Sequence, residues 1–107
     1  MTIPSILRHV VLFAFKADAS AEQRQAIVRS FGRLPSDIAG IQAYEWGENV
    51  SPEGLNDGFT HCFVLGFASE AARDAYLEHP AHARFVSMLG ACLERSLVVD
   101  YWANGPT

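Results

Sequence analysis

Four segments of the chain are rich in apolar side chains that sort onto two faces with a period of two, which predicts four β-strands. The predicted strands cover residues 7–16, 41–47, 59–67 and 96–102. In the first of them, Leu7, Val11 and Phe13 alternate with Val10 and Leu12, so that both faces are apolar in the middle. We therefore expect both faces of the sheet to be buried.

A helix is predicted between the first two strands. Ser20 is suited to be its N-cap, and Gln23 stands three residues later, as a capping box requires. Its apolar side chains recur on one helical face: Ile27, Val28, Phe31 and Leu34. We expect the helix to run to about Leu34, to stop at Pro35, and to be followed by a turn at Gly40.

A second helical region follows the third strand and is interrupted once. Ser69 is the predicted N-cap of a helix over residues 70–78, and His79-Pro80 breaks that helix. A new helical segment is expected to begin near Pro80 and to run to about Leu89, because proline suits a first helical turn. Its predicted inner face carries His82, Phe85, Val86 and Leu89.

The predicted order β-α-β-β-α-β is that of an α+β, ferredoxin-like domain, here a single domain over residues 1–107. Helices cover only one face of such a sheet, so Val10, Leu12 and Val64 would be exposed on the other. An exposed apolar patch of that size is rare on a monomeric protein. We therefore expect a homodimer in which two βαββαβ protomers pack sheet against sheet and form a dimeric α/β barrel.

Composition narrows the classes of function. The 107 residues carry a net charge of −4, which disfavours a nucleic-acid partner. The longest apolar run is far short of the ~18 residues of a membrane span, and Met1 to Pro4 lacks the features of a secretory signal. Cys62 and Cys92 are too few for a disulfide scaffold, which favours free thiols in a reducing cytoplasm. Residues 103–107 are polar and are expected to fray.

Four polar side chains lie among apolar neighbours and are the candidate chemical groups: His9, His61, Tyr76 and His82. In a ferredoxin-like sheet the first and third strands are adjacent, so the two strand histidines could converge with the helical pair on one cleft. A buried imidazole is costly unless it is hydrogen-bonded, and several in one pocket indicate proton transfer or ligand binding. His79-x-x-His82 could chelate, but no nearby Asp, Glu or Cys completes a zinc set, and we expect no metal.

Several short motifs together resemble the stress-responsive α/β-barrel (Dabb) domain family. They are Arg8-His9-Val10-Val11-Leu12, Trp46-Gly47, Phe59-Thr60-His61, Tyr76, His79-Pro80-Ala81-His82 and Asp100-Tyr101. The resemblance implies a ferredoxin-like protomer that pairs into a dimeric barrel.

Within the family the chain looks most like plant polyketide cyclases, and that likeness implies roles for individual residues. His82 would be the general base, Tyr76 the donor that stabilises the carbonyl oxygen, and His9 the residue that orients the pocket. His61 matches a further pocket histidine, and Phe31 stands where the cyclases carry a tyrosine, which makes this pocket more apolar. Val28 and Phe85 are expected to line the substrate site with His61 and Phe31.

These observations predict cofactor-free acid–base chemistry, such as cyclisation or isomerisation of a β-keto compound, on a small apolar or polyketide-like ligand. One alternative is a non-catalytic module linked to stress resistance, in which the histidines are structural. Another is a dimeric-barrel monooxygenase, including the haem-degrading kind. The first-strand asparagine common in haem degraders is absent, and His9 stands in that region.

Overall fold

The computed structural model describes residues 5–104, in which three helices lie on one face of a four-stranded antiparallel sheet. The strands are β1 (Leu7–Phe15), β2 (Ala43–Glu48), β3 (His61–Phe67) and β4 (Leu93–Trp102), and the helices are α1 (Ala21–Asp37), α2 (Glu70–Glu78) and α3 (Pro80–Leu89). The sheet order is β2-β3-β1-β4, which confirms the ferredoxin-like prediction and the central pairing of the first and third strands. The predictions made for residues 1–4, and for residues 105–107 of the frayed tail, lie outside the described residues.

The register of β1 decides which side chains meet in the interior. His9 lies opposite Leu65 in β3 and opposite Asp100 in β4. Because successive side chains of a strand point to opposite faces, Leu7, His9 and Phe13 turn towards the helices and are buried. This face forms the hydrophobic core.

Helix α1 begins as predicted and ends later than predicted. The Ser20 Oγ accepts a hydrogen bond from the Gln23 backbone N–H at 3.1 Å, and the Gln23 side chain accepts one from the Ser20 N–H at 2.8 Å. The prediction that Pro35 ends the helix is wrong, since α1 continues to Asp37. Pro35 sits in the last turn, where the missing N–H costs one bond, and the Ile38 N–H still reaches the Leu34 carbonyl at 2.8 Å.

The break between α2 and α3 is made by His79 and Pro80. The Ser69 side chain caps α2, and His79 is at once the last cap of α2 and the N-cap of α3, where its Nδ1 accepts the Ala81 N–H at 3.0 Å. The predicted inner face of α3 holds for Phe85 and Leu89 but not for Val86, which is 47% exposed. The α3 segment is tilted so that Ala81, Phe85 and Leu89 are its buried positions.

Strand ends differ from the prediction by a few residues. Thr60 still donates to the Phe13 carbonyl but β3 proper starts at His61, because Phe59 closes a turn onto the Asn56 carbonyl. Strand β4 begins at Leu93, three residues earlier than predicted, where it pairs with Phe15 across an irregularity in β1.

The sheet face that points away from the helices, here called the open face, is apolar. The predicted Val10, Leu12 and Val64 are half-buried there. The larger exposure comes from β4, whose open-face residues are Leu97, Val99 and Tyr101, each close to half exposed. Within residues 5–104 no helix is long and apolar enough to cross a bilayer.

Candidate active site

A cavity of about 820 Å³ opens between the α2–α3 pair and the helix-side face of β1 and β4; it is called the cleft below. It exists because the helices leave the neighbouring part of β4 uncovered, where Val98 is 51% exposed. One end of the cleft is polar and is lined by His9, Arg73, Asp74, Tyr76, His82 and Asp100. The other end is aromatic, with Phe13, Phe31 and Phe85 in its wall.

Three of the four candidate side chains converge at the polar end. The Tyr76 ring lies between the two imidazoles, with ring centroids 5.6 Å from His9 and 4.7 Å from His82. Both contacts are edge-on, so the phenol ring packs against the two imidazoles while all three line one space. Strand β1, helix α2 and helix α3 thus each supply one group.

Asp100 holds His9 in place and is itself held by Arg73. One carboxylate oxygen lies 2.7 Å from the His9 Nδ1, and the other accepts a hydrogen bond of 2.7 Å from the Arg73 guanidinium. A carboxylate only accepts, so the Nδ1 of His9 carries a proton, and in the neutral ring the Nε2 is the hydrogen-bond acceptor. The pair is mostly buried, and it sets the tautomer of His9 in the way that a carboxylate orients a catalytic imidazole.

The environment of His82 keeps this imidazole neutral. Burial lowers its pKa below the ordinary value, and the nearby His9 lowers it further because two protonated rings would repel. The backbone of Leu77 acts in the opposite direction on the pKa and is the smaller effect. In its neutral form the His82 ring has one nitrogen that can accept a proton.

Tyr76 is almost completely buried, at 1% exposure. Burial is the main reason that its pKa lies well above the ordinary value, with a smaller contribution from the Tyr44 hydroxyl. The phenol therefore stays protonated and can act as a hydrogen-bond donor to a developing negative charge.

His61 does not join this group, and the predicted convergence of both strand histidines is wrong. It lies on the same sheet face as His9, but it pairs with Phe13, four residues along β1. At ~3.4 Å per residue the two positions are about 14 Å apart along the strand direction. His61 and Val28 line a different cavity, next to Trp46 and the first turns of α1.

The aromatic end separates the two histidine environments. Phe31 stacks on Phe63 with centroids 4.2 Å apart and an interplanar angle of 5°, and Phe85 packs edge-on to Phe31 at 4.9 Å. Of the residues expected to line a substrate pocket, Phe31 and Phe85 therefore lie in the cleft, whereas His61 and Val28 do not.

Sequence reasoning gave no role in the cleft to Asp100 or to Arg73. Asp100 interrupts an apolar strand next to Val98 on the same face, and that signal could have placed it beside His9. Arg73 carries no such signal, because a charged residue on α2 is normally solvent-facing. In the part of the chain that the structure describes, no group of three or more His, Cys, Asp or Glu side chains is arranged to hold a metal ion.

Residues 7–103 match the family model described as the stress responsive A/B barrel domain. The stress-response A/B barrel domain-containing protein HS1 of Arabidopsis thaliana is 36% identical over 95 residues, which is 89% of this chain and 87% of that protein. Olivetolic acid cyclase of Cannabis sativa is 25% identical over 95 residues, 89% of this chain and 94% of the cyclase.

Two solved structures have the same fold as this chain. The hydroxynitrile lyase from Passiflora edulis superposes with a TM-score of 0.89 at 27% identity, covering 98% of this chain and 99% of the lyase. A dimeric ferredoxin-like protein of unknown function from a Jannaschia species gives a TM-score of 0.77 at 26% identity, over 90% of this chain and 97% of that one.

Proposed function

The chain belongs to the stress-responsive A/B barrel domain family, and we propose that it is a homodimeric, cofactor-free acid–base enzyme of the cyclase or lyase kind. The reaction makes or breaks a carbon–carbon bond next to a carbonyl group. The observation that carries the proposal is the convergence of Tyr76, His82 and the Asp100-held His9 at the polar end of an otherwise apolar cleft. The related olivetolic acid cyclase and hydroxynitrile lyase support this class of reaction.

The charges of the cleft favour a neutral substrate. Among the described residues that line the cleft, Arg73 is the only arginine or lysine, and its guanidinium is already engaged by Asp100 at 2.7 Å, Asp74 at 2.9 Å and Glu70 at 3.7 Å. A carboxylate substrate would therefore meet Asp74 and Asp100 without a free positive partner. A small neutral β-keto compound or an aromatic carbonyl compound fits both the polar end, where one guanidinium and two carboxylates leave a net charge of −1, and the aromatic end.

The proposed roles follow from protonation state. In the cyclisation direction, the neutral His82 removes a proton from an activated methylene, and the resulting enolate carbon attacks a second carbonyl carbon of the same molecule. The carbonyl oxygen becomes an alkoxide that accepts a hydrogen bond from Tyr76 and then takes the proton from the imidazolium of His82. His9 orients the substrate through its free Nε2 acceptor. No electron is gained or lost from outside, so the residues suffice.

The test compares variants at the polar end with a matched variant outside it. His82→Ala and Tyr76→Phe are each expected to lower turnover by on the order of 10²-fold or more, measured with neutral β-keto compounds and with an aromatic cyanohydrin. His61→Gln changes a buried histidine outside the cleft and is expected to keep its turnover within about threefold of the unchanged protein. Full activity of His82→Ala would refute the proposal that His82 is the general base.

A non-catalytic, small-molecule-binding role in stress is the second candidate, and the relative HS1, described as a stress-response protein, favours it. Thermal melts separate the two functions. If His82 is structural, its replacement by Ala lowers stability, whereas a residue kept for chemistry is replaced without loss or with a gain. His9 does not separate the two functions, because its hydrogen bond to Asp100 stabilises the fold in either case.

The exposed apolar side chains of the open face support the proposed homodimer. Leu97, Val99 and Tyr101 expose apolar surface there, and the Jannaschia relative is described as dimeric. Val99→Lys would place two like charges near the interface and is expected to yield a monomer by light scattering. Met88→Lys, an equally drastic change of an exposed apolar residue on α3, should leave the dimer intact.

The proposal places the protein in the cytoplasm. Both cysteines are free thiols, Cys92 buried and Cys62 half-buried, and this is the state that a reducing compartment maintains.

A further inference from the structure

A second cavity, of about 270 Å³, lies between the first turns of α1 and the edge strand β2, on the far side of the aromatic wall from the cleft. We call it the edge cavity. Its lining includes the side chains of Arg24, Val28, Arg29, Trp46, Glu48 and His61. It is slightly smaller than the ~300 Å³ at which typical small-molecule sites begin, so it has room for a single ring.

We propose that the edge cavity binds a small planar monoanion, an aromatic carboxylate, with its ring against Trp46 and its carboxylate held by Arg24, Arg29 and His61. This site is independent of the reaction in the cleft. Its components have the three properties that such a ligand requires: a flat apolar surface, a net positive charge of one, and a buried hydrogen-bond donor.

The flat surface is the indole of Trp46. This side chain is 44% exposed and stacks with His61 at an interplanar angle of 6°, with centroids 6.1 Å apart. The ring is held against Phe63 as well, at 6.1 Å and 21°. An aromatic ring prefers such an offset stacking partner, and the edge of the sheet leaves the indole accessible to it.

The charge comes from two guanidinium groups and one carboxylate. Arg24 is fixed in place because one of its nitrogens donates to the Ala19 carbonyl at 2.6 Å, which leaves its other N–H groups for a ligand. Arg29 is exposed at the rim, and Glu48 supplies the single negative charge. With His61 neutral, the lining is one charge positive, which suits a monoanion better than a doubly charged phosphate.

The buried donor is His61, which is only 7% exposed. The Thr60 hydroxyl lies 2.8 Å from its Nδ1, and the Glu48 carboxylate approaches its Nε2 to 3.5 Å. Since a carboxylate can only accept, the Nε2 carries the hydrogen, and the Thr60 hydroxyl donates to the Nδ1. His61 is part of the cavity lining, and its Nε2–H holds no short hydrogen bond, because the Glu48 oxygen is 3.5 Å away on a side chain that is 65% exposed.

The experiment uses Trp46 as its own reporter. Trp102→Phe leaves Trp46 as the sole tryptophan, and its fluorescence is titrated with sodium benzoate on the full chain. We expect a saturable change, with benzamide, the neutral analogue of similar shape, at least about tenfold weaker because it lacks the charge that the arginines recognise. Inorganic phosphate should not compete.

Variants that remove a positive or a negative charge from the lining of the edge cavity test how the ligand is oriented. Arg24→Gln and, separately, Arg29→Gln should each weaken benzoate severalfold, and Glu48→Gln should tighten it. His82→Ala, in the cleft, should leave benzoate binding unchanged. A linear, non-saturating quench, equal binding of benzamide, or a loss caused by His82→Ala and not by Arg24→Gln would each overturn the proposal.

Discussion

Replacing Asp100 by Asn is expected to move the proton of His9 from one ring nitrogen to the other. In the unchanged protein the carboxylate accepts from both His9 and Arg73, each at 2.7 Å. In the variant, the amide oxygen must face Arg73, which can only donate, so the amide NH₂ turns towards His9. The Nδ1 of His9 then has to accept, its proton moves to the Nε2, and the lone pair that faced the cleft is lost.

The loss of folding stability in Asp100→Asn follows from the same two hydrogen bonds of Asp100. Hydrogen bonds to a charged group contribute about 1.5–3 kcal/mol each, and roughly half of that is lost when the acceptor becomes neutral. Two such losses amount to about 1.5–3 kcal/mol. Because Asp100 and Arg73 side chains are 23% and 19% exposed, the lower half of that range applies, and we expect about 2 kcal/mol.

Urea unfolding at equal protein concentration and ¹⁵N NMR of the histidine rings measure the two effects. Asp74→Asn is the matched control, since Asp74 also pairs with Arg73, at 2.9 Å, but is 61% exposed. It should cost less than about 0.5 kcal/mol and leave His9 unchanged. If both variants lose the same stability, or if His9 keeps its Nδ1 proton in Asp100→Asn, the proposed role of Asp100 is refuted.

Three further predictions concern stability. Burial lowers the pKa of His61 and of His82 below 6.5. As the pH falls, these histidines are therefore protonated in the unfolded chain before they are protonated in the folded protein. The free energy of unfolding should be level above about pH 7 and should fall as the pH drops through 6.5. His61→Gln should flatten that slope between pH 7.5 and 5.5 in urea titrations, and an unchanged slope would contradict the assignment. Gly66→Ala would bring a Cβ to 2.5 Å from the Ile6 Cδ1 and to 3.1 Å from the Ala43 Cβ. Because the Ile6 Cδ1 is the flexible end of its side chain and can move, the loss should be about 1 kcal/mol, at the lower end of overpacking costs. Gly47→Ala, whose new Cβ meets no heavy atom of the described residues within 4 Å beyond its chain neighbours, should not suffer this clash, and equal losses would show that crowding is not the cause. Tyr44→Phe removes a buried hydroxyl that has no hydrogen-bond partner among the described residues, so its thermal melt should be unchanged or raised, and a clear loss would reveal a partner.

The sorting of the β1 and β3 side chains onto two faces could be predicted from the sequence, because successive strand residues point to opposite sides. The position along the strand could not be read in the same way. His9 and His61 both fall on the helix side, and only the pairing of His61 with Phe13 shows that they are four residues apart. A prediction from faces alone therefore placed two histidines in one cleft, although they belong to two cavities.

The ends of the helices could also be predicted only in part from the sequence. The capping box at Ser20 involves residues three apart and could be predicted from local chemistry, as could the break at Pro80. The passage of α1 through Pro35 could not, because it depends on how the last turn packs: Leu34 and Ile38 are both buried, and their burial offsets the single missing hydrogen bond.

Strand β4 links the fold to the proposed chemistry, since it takes part in both apolar surfaces of the sheet. On the helix side the helices do not cover it, and this gap is the cleft; there, Val98 continues the apolar wall and Asp100 reaches His9. On the open face, Leu97, Val99 and Tyr101 from the same strand form the exposed part of the proposed dimer surface. A shift of β4 by one residue would move Asp100 onto the open face and an apolar side chain beside His9. Dimer formation through the open face would therefore stabilise the register that holds the His9–Asp100 pair, so Val99→Lys should weaken catalysis as well as assembly, even though Val99 lies on the opposite side of the sheet from the cleft. Full activity in a monomeric Val99→Lys protein would show that the register of β4 is secure without the partner.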